Sequence, residues 1–514
     1  MAKDAFITPD GIPIKDYAMS IIASRILPDV RDGLIPVQRR LLYAMDSMGL
    51  SANGKFVGSE LIVNETKGKY HPHNDIFKDK PMVSMAQDFS TRYPLIQGNG
   101  NFGSVNRDPP ASLRYTEAKL SEIGGEMLKD LQNDAVDFVP TYDGKSQEPT
   151  VLPSAVPNLL INGFTGTAAG MVSSMAPHNL TEICNAICAY IDNPDISIEE
   201  LMEYVQGPDF PTGGEIICHK ETMLEVYKTG RGSFTLWGKY SIEIAKSGKK
   251  TIVFTEIPFN VDYNLLLQEI NRLIQDKVID GIASVNNESD YNETRLVINL
   301  KKRALVNVVL KQLFENTQLQ TTFEISNMAM VNGKPQCLNL KDLIRHFIEY
   351  RVDVVTRLAH FYLRFFEERE QNLKELISLT NNEDCIKSFA DDFIKILNDE
   401  EITDKPPFWP LSRQLGLMSK LNLQLIDFNI EKLQEDLEEL KESIDYCNNL
   451  LVDKSKLLEE IKKDTKAIAE KYGDTRRTKI DILHESIPID WDVRIKAGLC
   501  HHVAIVAKDL EEPE

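Results

Sequence analysis

The sequence has no uninterrupted apolar run approaching the ~20 residues that a membrane span needs. Its first residues, MAKDAFITPDG, lack the build of a secretory leader. No Cys-x-x-Cys pair occurs, and the seven cysteines are scattered and odd in number. Neither a disulfide framework nor a zinc ribbon is expected, and a reducing, intracellular compartment is the simplest setting. Cys184 and Cys188 stand one helical turn apart, but no second ligand pair flanks them. No GxxxxGK[ST] stretch occurs, so no P-loop is expected. Positive charge is short as well: 58 Lys/Arg face 78 Asp/Glu, for a net charge of −20. That excludes a protein that binds polyanions over its whole surface, but leaves room for a local basic site.

What is present divides into three textures, in keeping with 514 residues at about 150 per domain. The first 120 residues carry 15 Lys/Arg and 13 Asp/Glu, a balance of +2 that leaves −22 for the rest. Within them, Pro36 opens a helix on which Val37, Leu41, Leu42, Met45 and Met48 recur at helical spacing, and Gly49 stops it. A second short amphipathic stretch, 57–63, follows, so a helix-turn-helix is expected. From Pro149 to Gly214 small residues, Pro and Gly dominate, which reads as close backbone packing. From Glu215 to about Met330, strand-like segments such as 251–254 and 295–300 flank a helical stretch over 263–275, as in an α+β domain.

After Leu340 the pattern becomes helical. Leu343, Phe347, Tyr350, Val354, Phe361 and Phe365 form one stripe. Ile430, Leu433, Leu437, Leu440, Ile444, Cys447 and Leu451 then repeat at alternating steps of three and four, a coiled-coil seam. Two long helices with roughly 60 residues between them suggest an antiparallel arm with a small cap, in which 398–410 is a Pro-rich loop and the cap is a natural homodimer contact.

Three motifs bear on chemistry. Gly98-Asn99-Gly100-Asn101-Phe102-Gly103 matches GxGxxG, but paired prolines follow where a dinucleotide fold needs a helix, so that reading is rejected. The tract Gly68-Lys69-Tyr70-His71-Pro72-His73 is basic and turn-prone; its histidines could hold a metal, bond phosphate oxygens or face solvent. Arg114-Tyr115 sets a guanidinium beside a phenol. A phenol of pKa about 10 is a poor nucleophile at neutral pH. An adjacent arginine can stabilise both the phenolate and the charge of a phosphodiester under attack.

In order along the chain, these pieces resemble the breakage–reunion (A) subunit of type IIA DNA topoisomerases, that is, of gyrase and topoisomerase IV. The matching stretches are DYAMSIIASRILPDVRDGLIPVQRRLLYAM (16–45), GKYHPHND (68–75), MAQDFSTRYPLIQGNGNFGS (85–104), SLRYTEAKL (112–120), VDFVPTYDG (136–144), VPNLLINGFTGTAAGM (156–171) and APHNLTE (176–182). PDFPTGG (208–214) and GDTRRTKI (473–480) extend the resemblance over roughly 470 of 514 residues.

The resemblance implies an α+β, multidomain architecture: an N-terminal arm and winged-helix DNA-gate domain over 1–150, an α+β tower over 151–335, a long antiparallel coiled-coil arm with a helical dimer gate over 336–480, and a tail over 481–514. It implies that Tyr115 attacks a DNA phosphodiester to give a 5′-phosphotyrosyl link and a free 3′-OH, with Arg114 stabilising the transition state. Arg25, Arg39, Arg40, Lys69, His71, His73, Arg92, Asn162 and Thr167 match the family's DNA-contact set. No metal is expected on this chain. Mg²⁺ and ATP would both be held by a B-type partner in an A2B2 assembly on double-stranded DNA, cytoplasmic and DNA-associated.

Several positions depart from the family pattern. Ile35 stands where a lysine is usual, Gln38 where a histidine is, and Asn74 where a glycine follows HPH. Thr167 replaces an isoleucine that wedges between bases, and threonine is a poorer wedge. Ile76 and Lys80 replace the serine and acid that support quinolone binding, which implies resistance. The 34 residues after Ile480 are too few for a DNA-wrapping propeller, so relaxation and decatenation are expected rather than wrapping-dependent supercoiling. Compact chains of this family with such departures are similar to those of large bacteriophages. Two other readings compete: a relaxase-like nuclease pairing His71 and His73 with Tyr115, and a non-catalytic coiled-coil DNA-binding scaffold.

Overall fold

The computed structural model describes residues 26–73, 81–106, 108–168, 171–245, 248–289, 294–380 and 430–483. Arg25, Asn74, Ile76, Lys80, the Pro-rich loop 398–410 with the cap around it, and the tail beyond 483 lie outside the described residues. The chain forms two compact units. The first comprises the residues up to Lys129, Val136–Arg351 and those from Lys462 onward; the second comprises Asp130–Ala135 and Val352–Ile461.

In the first unit, Pro36 occupies the opening turn of the helix Pro36–Ser47, where its missing N–H is no loss. Leu41, Leu42, Ala44 and Met45 are wholly buried on one face. The 57–63 stretch splits: Val57–Gly58 is a short strand and Ser59–Lys69 a helix. That strand joins Glu117–Leu120 and Ile96–Asn99 in a three-stranded antiparallel sheet, with Glu117–Leu120 in the middle. Among the described residues, the next element after Ile96–Asn99 and its glycine-rich loop is the 3-10 turn Leu113–Tyr115 rather than the helix a dinucleotide fold needs.

A six-stranded sheet runs in the order Lys479–Leu483, Glu215–His219, Arg231–Trp237, Gln320–Ser326, Met171–Met175, Phe164–Ala168. Its first strand pairs in parallel with one 264 residues earlier, Lys479 against Glu215. A four-stranded antiparallel sheet, Lys239–Ile244, Lys250–Glu256, Leu296–Leu300, Ile282–Asn287, packs with the helices Tyr263–Gln275 and Val306–Asn316 around one core. Ile252, Phe254, Leu296 and Ile298 alternate onto the face that packs on this core, as a period of two demands, and Val253 and Val297 between them are buried as well. Asp262 caps the first of those helices, accepting from Asn264 N and Leu265 N. Trp237 stacks on Phe314 at 4.5 Å, an arrangement worth about 1 kcal/mol beyond its area.

The second unit is helical. Leu373, Leu433 and Leu440 bury against one another with Phe366, Ile377 and Leu437. The helix Leu340–Thr380 carries the first stripe; its residues up to Arg351 belong to the first unit and those from Val352 to the second. The heptad run lies on Ile430–Val452, after which Asp453 interrupts the helix by capping a new one, Lys454–Tyr472, through Ser455 N at 2.9 Å. The heptad pattern could not show this break, because a cap acts on the backbone rather than on the apolar seam. No helix among the described residues is long and apolar enough to cross a membrane.

His178, in the APHNLTE stretch, is buried in the first unit. Its Nδ1–H donates to Leu160 O and its Nε2 accepts from the Tyr227 hydroxyl, both at 3.0 Å. Burial, with a contribution from the nearby Arg476 charge, pushes its pKa down to about 4. The unfolded chain takes up this proton near pH 6.5 and the folded chain does not. Stability is therefore intact above about pH 6.5 and falls as the pH drops toward 4, by up to about 3 kcal/mol from this residue. Urea titrations from pH 7 to 4 should give a flatter pH dependence for His178→Asn than for wild type; parallel curves would contradict this.

Candidate DNA-cleavage site

Tyr115 ends a single 3-10 turn, Leu113–Tyr115, and its ring is 72% exposed. The Tyr115 N–H donates to Ser112 O at 2.8 Å. The next residue is pinned: Thr116 Oγ1 donates to Ser59 Oγ at 2.8 Å, and Ser59 N–H donates to Thr116 O at 2.9 Å. The nucleophile candidate thus projects from a rigid seam between the three-stranded sheet and the start of Ser59–Lys69. The Arg114 guanidinium carbon lies 5.3 Å from the Tyr115 ring centroid. That places a fixed cation beside the Tyr115 ring.

The other end of Ser59–Lys69 leads to His71 and His73, whose rings meet edge to face at 5.3 Å. An 11-residue helix is about 16 Å long, so Tyr115 and the histidines stand at opposite ends of it. Within one chain they do not form one cluster, which removes the geometry that a relaxase-like site would need. His71 is itself buried. Lys69 is ion-paired with Glu65 one turn earlier, and both are substantially exposed.

The remaining basic residues from the sequence reading divide by environment. Arg39 turns inward to Asp32, with Nε and Nη2 bonds of 2.5 and 2.9 Å, and Nη2 also reaches Leu34 O at 3.0 Å. Arg40, one residue on, faces another way. Its Nε and Nη2 bind Glu148 at 2.9 and 2.6 Å, and its Nη1 donates to His71 Nδ1 at 3.1 Å. Gln38, which stands where the family has a histidine, accepts from Ile35 N at the helix start.

Arg92 has a wholly buried side chain. Its Nε and Nη2 bind Asp209 at 3.1 and 2.9 Å. Nη1 and Nη2 bind Asp474 at 2.7 and 2.8 Å. Burial alone would raise the Asp474 pKa, but donors from Arg92 and Tyr93 hold its carboxyl below the ordinary range. Asn162 clamps the next residue, accepting from Tyr93 N at 2.7 Å and donating to Tyr93 O at 3.0 Å. Arg39, Arg92 and Asn162 are therefore hydrogen-bonded to other groups inside the protein.

Directly after Asn162 comes Gly163, with φ 64° and ψ −165°, a conformation open only to glycine. A Cβ there would lie 2.3 Å from Met175 O. This turn launches the hairpin Phe164–Ala168 with Met171–Met175, in which exposed Thr167 pairs with Val172. Side chains of paired residues share a face, so the 52%-exposed Val172 sets an apolar group beside the threonine.

Sequence reasoning missed Glu148, Asp209 and Asp474. The last two lie inside quoted stretches, PDFPTGG and GDTRRTKI, but an acid's partner 117 or 382 residues away carries no local signal. Among the described residues no group of three or more His, Cys, Asp or Glu could hold a metal ion.

Comparison with known proteins bears directly on this arrangement. Residues 25–466 match the family model for the A subunit of DNA gyrase/topoisomerase IV. The chain belongs to that family. Similar relatives include the DNA gyrase A subunits of Treponema pallidum (44% identical over 467 residues, covering 90% of this chain and 57% of that protein) and Brachyspira hyodysenteriae (43% over 519 residues, 96% and 61%). The counterpart from Deinococcus deserti is 42% identical over 481 residues, with 92% and 58% covered. The chain thus spans about three fifths of the length of these gyrase relatives.

Proposed function

We propose that this chain is the DNA-cleaving and resealing component of a type IIA topoisomerase. The observation that carries the reading is an exposed Tyr115 with the Arg114 guanidinium beside it, in a chain of the gyrase/topoisomerase IV family. The Tyr115 phenol oxygen attacks a backbone phosphorus. The P–O3′ bond breaks, the 5′-phosphate stays on tyrosine, and the 3′ oxygen leaves as a hydroxyl after taking a proton. Arg114 offsets the charge that develops on the phosphoryl oxygens. Resealing reverses these bonds, so the covalent link stores what religation needs.

In this reading the segment to about residue 150 is the winged-helix DNA gate, 151–335 the tower, and 336–480 a coiled-coil arm with a dimer gate ahead of the tail 481–514. Arg40, Lys69 and His73 are its DNA-backbone contacts, with Arg25 added from outside the described residues. Arg39, His71, Arg92 and Asn162 position them. Thr167 with Val172 forms an apolar hairpin tip suited to a base step.

Mg²⁺ and ATP are assigned to the B-type partner, as membership of the gyrase/topoisomerase IV A-subunit family implies. The working assembly is A2B2 on double-stranded DNA in the cytoplasm, and its strand passage relaxes and decatenates circles. The test is denaturant-trapped cleavage of end-labelled duplex with and without the B-type partner. A 5′-linked adduct is expected; its absence with a competent partner would sink the proposal.

A further inference from the structure

We propose that Glu148 is a positioning residue that fixes Arg40, and His71 behind it, by giving up Arg40's net charge. The inference rests on the topoisomerase reading for its catalytic consequence only. Glu148 comes from the strand Gln147–Pro149, which pairs with Phe138–Pro140. It is buried, and both of its oxygens are engaged by Arg40, at 2.9 and 2.6 Å. Such a fork–fork pair fixes the guanidinium plane as well as its place.

The consequence reaches His71. Arginine has no acceptor, so the 3.1 Å contact from Arg40 Nη1 makes His71 Nδ1 the acceptor. His71 is thereby held neutral, with its proton on Nε2. Its ring in turn supports His73 edge to face. The same hairpin is tied down from a second side, since Tyr142 donates to Gly68 O at 2.7 Å. Glu148 therefore acts through Arg40, 108 residues earlier in the chain, on the whole 68–73 tract.

Charge gives the inference its sharpest edge. Arg40 retains exposed surface, its side chain being 24% accessible, but its charge is already met by Glu148. It can offer DNA oriented N–H donors with little counterion release. Neutralising Glu148 should then do two opposite things: add one uncompensated positive charge to the DNA-facing surface, and loosen the geometry that places it.

The experiment uses the full chain, wild type against Glu148→Gln and Arg40→Gln. Duplex affinity is measured across KCl concentrations. Glu148→Gln should bind more tightly at low salt, with a log–log salt slope steeper by about one. With the B-type partner present, its yield of covalent adduct should fall about tenfold or more. Arg40→Gln should lose adduct without any steeper slope. A merely structural glutamate would lower adduct and affinity together with the slope unchanged, and that outcome overturns the proposal, as does a Glu148→Gln variant indistinguishable from wild type. If Glu148→Gln fails to fold, ¹⁵N-histidine spectra decide instead. Wild-type His71 should show an unprotonated Nδ1 and a protonated Nε2; the reverse tautomer refutes the assignment. If wild type forms no adduct at all, the topoisomerase reading fails, while the salt and spectroscopic arms still judge Glu148.

Discussion

Phenylalanine at position 115 should abolish the covalent DNA adduct and leave the fold untouched. The Tyr115 ring is 72% exposed, and its hydroxyl has no hydrogen-bond partner among the described residues. Removing that oxygen breaks no packing contact, so stability should stay within about 0.5 kcal/mol of wild type. Chemistry has no substitute for it. Thr116 is buried on Ser59, and the histidines follow the far end of Ser59–Lys69. Adduct yield should therefore drop by at least about a thousandfold, to the floor of a denaturing gel. Arg114→Ala, which keeps the nucleophile and removes the cation, should lose roughly a hundredfold. An adduct that survived in Tyr115→Phe would move the nucleophile elsewhere in the chain.

Asparagine at position 209 should be the most damaging single change to stability, at about 3–5 kcal/mol. Asp209 is fully buried and serves two sets of donors. One oxygen takes Arg92, and the other takes the backbone N–H groups of Arg477 and Thr478 at 2.8 and 2.9 Å. An amide supplies one acceptor where two are needed and turns its own N–H₂ toward a donor. Asp474 still faces Arg92, which places the expected loss toward the lower end of the range.

The effect is not confined to stability. Arg92 and Tyr93 lead into Ile96–Asn99, which pairs with the strand that follows Tyr115. Pro94 O and Leu95 O both accept from Ser121 just beyond that strand. Adduct formation should fall with stability. By contrast, Glu199→Gln, at an exposed ion pair with Lys228, should leave stability close to wild type. Urea unfolding of the two variants side by side checks this; equal losses would mean that the buried network carries no special weight.

Local signals explain what could be read in advance. The helix Pro36–Ser47 follows from a proline start, a glycine stop and one apolar face. Tyr263–Gln275 follows from its helical period. Arg114 and Tyr115 are neighbours in sequence, so their pairing survives any fold. The basic side chains are where the sequence said least about surroundings. Arg39 and Arg40 look alike in sequence, but successive helix positions point about 100° apart, and one meets Asp32 while the other meets Glu148.

By itself, the sequence determined the order of motifs, the family resemblance and the candidate nucleophile with its neighbouring arginine, because each depends on residues close together in the chain. The tertiary structure alone decided which cations remain available to a ligand. Whether an arginine faces solvent or a carboxylate depends on partners up to 382 residues distant, as Arg92 and Asp474 show. Desolvation makes such buried partners obligatory, since an unpaired charge in the interior costs several kcal/mol. The scarcity of positive charge in the sequence thus becomes sharper in the fold. Arg39, Arg40, Lys69 and Arg92 each meet a carboxylate, and Arg114 is left beside the tyrosine.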